Sequence, residues 1–251
     1  MSDVGTPWPS TFTTIQQNDF FLARLHKTMY LTKTPRVIQK LFPNFHWRVE
    51  SKRDKPTIYL TFDDGPIPQL TPWVLEQLEQ FDAKATFFCV GNNVRRYPDV
   101  LRKVIAAGHS VGNHTTHHLD GWKTDNVPYF HDIRHCAVNL KTSLFRPPYG
   151  RLKPSQAQFL QRHYQIVMWD VLSGDFDPEL TPDDCFDNVV ENASPGSIVV
   201  MHDSLKSEEK LRQVLPRLLA HYTERGYAFD RLTPELLADR SSVAKPRLKT
   251  A

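Results

Sequence analysis

Two carboxylates stand side by side where an apolar run ends: in IYLTFDDGP, Asp63 and Asp64 follow Phe62 and precede Gly65 and Pro66. Adjacent negative charges repel and lose hydration near a core, so the pair needs a turn that exposes it or a cation that holds it. Asp, Gly and Pro are all turn formers, and DDGP alone would make an ordinary turn. Further on, NHTTHH places His114 and His118 four residues apart. If that segment is helical, the two imidazoles share a face, and the spacing suits two ligands on one metal ion. With one carboxylate from the acid pair they make a His₂Asp set with open coordination positions, the pattern of a catalytic metal rather than a closed structural one. One acid would then bind the metal and the other would be free to take protons.

Other polar groups fall at comparable places. FRPPYG carries Arg146 and Tyr149; its prolines stiffen the backbone, and Arg146 brings a permanent charge. Asp170 stands at the end of the run QIVMWDV and Asp175 follows it, and His202 and Asp203 close SIVVMHD. Each group follows a segment that reads as a strand, so all are expected at the C-terminal edge of one sheet, where barrels and open α/β sheets bind substrates.

The positioning elements are short apolar runs alternating with amphipathic stretches. TIYLTF, ATFFCV, HSVGNH, SLFRPP, QIVMWDV, SIVVMHD and YAFDRL read as strands. TPWVLEQLEQF, PDVLRKVIAAG and EEKLRQVLPRLLAHYTERG read as helices, the last with a kink or altered boundary expected at Pro216. The alternation predicts an α/β protein with a parallel sheet, a distorted (β/α)7-8 barrel. Residues 1–56 stand outside the repeat as an N-terminal extension, with TPRVIQKLFPNFHWRV as a short helical cap on the barrel. Residues 57–240 form the main domain and 241–251 a flexible basic tail.

Bulk properties exclude several classes. The formal net charge is only +3, too small to argue for nucleic acid. No stretch nears the roughly 20 apolar residues of a membrane-spanning helix. Three widely spaced cysteines, Cys89, Cys136 and Cys185, make no disulfide framework, and Cys89 in ATFFCV reads as core. The first thirty residues show no basic segment leading into an apolar one, so a cytoplasmic location is the default expectation, with Met29 as an alternative start.

Taken in order, TFDDGP, HTTHH, RPPYG, WDVLSGDF and VMHD resemble the five motifs of the polysaccharide deacetylase family, the NodB homology domain of carbohydrate esterase family four. The likeness runs from Thr57 to Leu232 and implies that family's distorted barrel. It also implies roles: Asp63 as general base; Asp64, His114 and His118 as metal ligands; Arg146 as the partner that tunes the base. Tyr149 would offer its backbone N–H to the oxyanion, Asp175 would orient the catalytic histidine, and His202 would be the general acid. Two positions depart from the family pattern. Phe176 stands where Trp is usual and Val200 where Leu is usual; both resemble the wall around the acetyl methyl, so a larger apolar space beside that methyl is expected.

The activity so implied is metal-dependent removal of N-acetyl groups from an amino-sugar polysaccharide or oligosaccharide. Zinc is the first choice, and cobalt or ferrous iron suits the same donors. Three rival readings stay open: an esterase for O-acetylated sugars, a non-catalytic sugar- or metal-binding module, and a non-haem iron oxygenase. Trp122 in GWKTDN could line a substrate groove or simply pack.

Overall fold

Asp63 owes its position to a strand whose seven residues are all buried. In the computed structural model, which describes residues 30–50 and 54–238, β1 (Thr57–Asp63) lies at the heart of the sheet. Ile58, Leu60 and Phe62 point to the helix layer and join its apolar cluster, while Tyr59 joins a separate cluster on the other face. This two-sided burial is what a parallel strand under helices requires. The alternation also puts Thr61 and Asp63 on the face opposite the helices.

The remaining strands are β2 (Thr86–Cys89), β3 (Ser110–Asn113), β4 (Leu144–Phe145), β5 (Gln165–Ile166), β6 (Val171–Leu172), β7 (Ile198–His202) and β8 (Ala228–Phe229). They follow the order β5-β4-β3-β2-β1-β7-β6, with β8 also paired to β1, and the recorded pairings are parallel. β5 and β6 lie at opposite ends of this path yet are joined by only four residues. The sheet therefore curls round on itself into a distorted α/β barrel, as the alternation predicts.

Nine α-helices are present among the described residues: α1 (Arg36–Leu41), α2 (Thr71–Gln80), α3 (Gly91–Arg96), α4 (Pro98–Ala106), α5 (Asn126–Asn139), α6 (Pro154–Leu160), α7 (Pro182–Val190), α8 (Glu208–Glu224) and α9 (Pro234–Ala238). Proline in the first turn, where its missing N–H costs nothing, starts α2, α4, α6 and α7. In α7 the Thr181 hydroxyl accepts from Asp184 N–H while the Asp184 carboxylate accepts from Thr181 N–H. α8 continues through Pro216, because Leu211, Val214, Leu215, Leu218, Leu219 and Tyr222 bury one continuous stripe against the sheet. That packing outweighs the one hydrogen bond a proline removes.

Two expectations are corrected here. The run QIVMWDV is not one strand but β5 and β6, with residues 167–170 between them. Asp170, expected at the C-terminal edge, lies at the start of β6 instead. There its N–H donates to Ile198 O, and its buried carboxylate pairs with Lys33 and Arg48 and accepts from Ser197 Oγ, which precedes β7. It is a structural acid at the opposite end of the strands.

The segment before β1 is helical only over Arg36–Leu41. Beyond it the backbone extends and bridges the barrel: His46 N–H donates to Ile166 O, Met168 N–H to His46 O, and Val49 N–H to Gly196 O. The first 29 residues and the tail after 238, including the expected basic tail 241–251, lie outside the described residues. No helix among the described residues is long and apolar enough to cross a membrane.

Candidate active site

Register brings the reactive side chains together. β1 and β7 pair so that Asp63 lies opposite His202 and Thr61 opposite Val200. A base candidate and an acid candidate thus sit side by side at the C-terminal ends of neighbouring strands. Asp64 begins the turn after β1, His114 follows β3, Arg146 follows β4, and Asp175 lies in the loop after β6.

Asp64, His114 and His118 each turn one donor atom to a common point, and these atoms all lie within 4.8 Å of one another. His114 donates from Nδ1 to the Arg146 carbonyl at 2.8 Å, which leaves its Nε2 with a lone pair 3.8 Å from Asp64 Oδ1. Burial pushes His114 down to about 4, so the ring is neutral at physiological pH, the form that ligates. His118 sets Nδ1 3.2 Å from the Tyr149 hydroxyl and Nε2 3.2 Å from Asp64 Oδ1. Burial alone would raise Asp64, but the His118 contact and the nearby histidine charges hold it below the usual carboxylate range. Its Oδ1 is buried without a hydrogen bond of acceptable geometry. An orphaned carboxylate oxygen facing two imidazole nitrogens fits a divalent cation.

The segment that carries the histidines is not helical. Thr115 (φ 62°) and His118 (φ 55°) take left-handed conformations, and the loop is pinned from outside. Asp132 on α5 accepts the Thr116 and His117 N–H groups at 2.7 and 3.0 Å, and the Asn113 amide joins Thr115 N–H to Ile133 O. The i, i+4 spacing therefore works through a bent loop rather than a helical face. Of the five non-glycine residues with positive φ among the described residues, four lie at this site: Asp64, Thr115, His118 and Tyr149. Such backbone persists only where surrounding contacts over-determine it.

Asp63 is held by Arg146, whose guanidinium is wholly buried. Nη1 donates to Asp63 Oδ1 and Thr61 Oγ1, both at 2.7 Å; Nε donates to Val167 O and Nη2 to Met168 O. The two carbonyls belong to the residues between β5 and β6, so the break in that strand supplies the acceptors. Phe88 lies under the guanidinium at 4.1 Å. Burial works against the Arg146 charge and Asp63 works for it.

Asp175, wholly buried, accepts His202 N–H through one oxygen and His202 Nδ1–H through the other, both at 2.8 Å. Burial disfavours the imidazolium, but the Asp175 charge and hydrogen bond outweigh it and raise His202 to about 9. The ring is protonated at neutral pH, with Nε2 left for a reacting group.

Phe176 sets its ring against His202 edge-on, with centroids 5.1 Å apart. Val200 is fully buried and shares the Asp63 and His202 face of the sheet, two residues below His202. Tyr149 packs on His118 with centroids 4.7 Å apart, and its side chain remains 59% exposed.

Asp203 and Asp132 have roles that sequence inspection missed. Asp203 accepts Gly65 N–H at 3.0 Å and the Thr71 hydroxyl at 2.6 Å, which locks the turn after the acid pair. Burial raises it to about 8. A Cβ on Gly65 would fall 2.0 Å from Asp203 Oδ2, so only glycine fits. The signal for Asp203 was its place beside His202; Asp132, inside a weakly amphipathic helix, gave none.

Comparisons with known proteins bear on the family and the fold. A family model described as polysaccharide deacetylase matches residues 50–165. A Bacillus cereus peptidoglycan-N-acetylglucosamine deacetylase is 32% identical over 201 residues, covering 76% of this chain and 93% of that protein. A second B. cereus protein of that name is 30% identical over 177 residues, covering 66% of this chain; the aligned part spans 64% of the relative's length. Among solved structures, a peptidoglycan N-acetylglucosamine deacetylase in complex with 4-naphthalen-1-yl-N-oxidanyl-benzamide superposes with a TM-score of 0.72 at 27% identity, over 79% of this chain and 95% of that one. The chain belongs to the polysaccharide deacetylase family, with its NodB-type barrel.

Proposed function

We propose that the protein hydrolyses N-acetyl groups on an amino-sugar polysaccharide or oligosaccharide with the help of a divalent metal ion. The observation that carries this is the cross-strand pairing of Asp63 with His202, which sets a carboxylate and an imidazolium on neighbouring strand ends beside a convergent Asp-His-His donor set. Zinc is the first choice for Asp64, His114 and His118, with cobalt or ferrous iron admitted by the same donors; when bound, the ion would supply Lewis acidity toward the acyl oxygen and the attacking water.

The side chains divide the proton work. Asp63 takes a proton from water as it attacks the acyl carbon, and the Arg146 hydrogen bond fixes its carboxylate in position. The Tyr149 backbone N–H donates to the oxygen that gains charge, a preorganised contact of the kind worth about 3 kcal/mol. His202 gives its proton to the departing sugar nitrogen, since an amide anion does not leave unaided. Asp175 keeps that proton on the ring until then and holds Nδ1, so that Nε2 is the donor. Phe176 and Val200 wall the space for the acetyl methyl.

The name of the B. cereus relatives supports an N-acetylated amino-sugar polymer as substrate. The test is acetate release from chitin oligomers, peptidoglycan fragments and acetylxylan by protein stripped with chelator and then reloaded with zinc, cobalt or ferrous iron. Release from the first two only after reloading is the expected result. Release from acetylxylan alone would assign an O-esterase, and release unaffected by chelator would remove the metal.

A further inference from the structure

Trp122 has no part in the proton and acyl chemistry proposed above, and its setting is unusual. The side chain is 61% exposed, yet the loop that carries it is fastened to the segment after Tyr149 by a dense set of contacts. The indole Nε1–H donates to Leu152 O at 3.1 Å, and Trp122 N–H donates to Asp120 Oδ1 at 2.9 Å. Gln156, fully buried, donates from its side-chain amide to Gly121 O and Thr124 O at 3.0 and 3.1 Å. Lys153 Nζ donates to Thr124 O at 2.9 Å, and Arg151 Nη1 donates to Asp120 Oδ2 at 2.6 Å. A Cβ on Gly121 would come within 2.3 Å of Arg151 O, so the loop is pressed against its neighbour as closely as glycine permits.

The fastening leads back to the metal donors. The Arg151 guanidinium lies over Trp122 at 5.2 Å and over Tyr149 at 5.5 Å, and Tyr149 packs on His118. Two large aromatic side chains are thus exposed side by side, each held rigid and bridged by one guanidinium, starting at the reacting centre and running away from it. A core role does not account for an indole held in solvent, since burial is what normally repays ordering a large apolar side chain. A rigid exposed aromatic presents contact area at little entropic cost on binding. Aromatic faces of this kind suit the apolar C–H face of a pyranose ring. The Asp120 carboxylate occupies the Arg151 charge, which argues against an anion as the occupant.

We infer that Trp122 is the stacking platform for a second sugar ring of the substrate, adjacent to the ring whose acetyl group faces Asp63 and His202, with Arg151 and Gln156 as its positioning residues. The inference rests on the carbohydrate reading proposed above. It makes the enzyme selective for chain length: a substrate long enough to reach Trp122 is held better than one that is not.

The experiment measures KM and kcat for acetate release from N-acetylglucosamine oligomers of two to six units, in wild type, Trp122→Phe and Trp122→Ala, alongside calorimetric binding of the hexamer to Asp63→Asn and to the Asp63→Asn, Trp122→Ala double variant. In wild type, KM should fall as the oligomer lengthens. In Trp122→Ala that fall should be lost, with KM for the hexamer up about ten-fold, the size of one aromatic contact. Trp122→Phe should keep most of the length dependence, which separates stacking from a folding defect. Hexamer binding to the double variant should weaken by a similar factor. Unchanged length dependence and unchanged hexamer affinity on removal of Trp122 would overturn the inference. If wild type releases no acetate from any oligomer, the proposed activity falls, and the Trp122 inference is then judged by the calorimetric comparison alone.

Discussion

Asp175 holds His202 twice, at the backbone N–H and at ring Nδ1, with both contacts at 2.8 Å. The double hold ties the position of the imidazole to its charge. Asp175→Asn should keep one contact while removing the charge that raises His202 to about 9. A general acid works below its pKa, so the alkaline limb of the kcat profile should lie near pH 9 in wild type and move toward neutrality in the variant. The loss in kcat should be roughly 100- to 10,000-fold. Stability follows the same sign. The raised His202 contributes fully below its unfolded value near 6.5 and loses that contribution as pH climbs through about 9. Chemical denaturation at pH 6 and pH 9 should show this drop in wild type and a smaller one in Asp175→Asn.

The two neighbouring aspartates should separate cleanly. Asp63→Asn is expected to retain metal and lose nearly all turnover, because Asp63 is held by Arg146 and is not one of the three residues whose donor atoms converge. Asp64→Asn is expected to lose both, as Asp64 is the carboxylate facing His114 and His118. Metal content after dialysis, read beside acetate release, checks the pair; equal metal loss in both variants would contradict the division.

Arg146 is the largest wholly buried side chain among the described residues, and its removal should be costly for more than catalysis. Arg146→Met leaves the Asp63 carboxylate buried without its charge partner and two carbonyls without donors. A destabilisation of about 3–5 kcal/mol is expected for breaking such a pair. Urea denaturation measures it. A loss under about 1 kcal/mol would mean that water replaces the guanidinium.

Phe176→Trp tests the acyl wall. The Phe176 ring meets His202 edge-on at 5.1 Å, and a larger indole there should shrink the space above Val200. Wild type should tolerate propionyl amides better than the Trp variant does, by a factor reflecting about 1–3 kcal/mol per methylene. An unchanged acetyl-to-propionyl ratio would place Phe176 outside the wall.

How far the sequence could be read depended on whether the signal was local. Asp63, Asp64, Arg146, Asp175 and His202 sit where strand-like runs end, so pattern alone brought them to one edge. Asp170 shared that pattern and went elsewhere, because the run before it divides between two ends of the sheet, which only the three-dimensional path reveals. The helix Asn126–Asn139 escaped notice since its buried residues Tyr129, Asp132, Ile133 and Cys136 include a carboxylate that serves the histidine loop. The left-handed conformations of Thr115 and His118 are likewise products of tertiary contacts. A histidine pair four apart pointed to side chains that converge, and His114 and His118 do converge, through a bent loop and not across a helical face.

The buried Asp170 carboxylate has a consequence for anyone wishing to excise a minimal catalytic fragment. Its cationic partners, Lys33 and Arg48, lie upstream of residue 50, where the family match begins. A fragment cut at that boundary would retain all five reactive motifs yet leave Asp170 sealed in the barrel wall without a counter-charge, and would strip the strand mates from Ile166, Met168 and Gly196. Such a fragment should be expressed insoluble or unfold well below the parent's Tm, whereas one beginning at Thr32 should not. The motif boundaries would then mark where the chemistry starts, and the chain needed to fold would begin earlier.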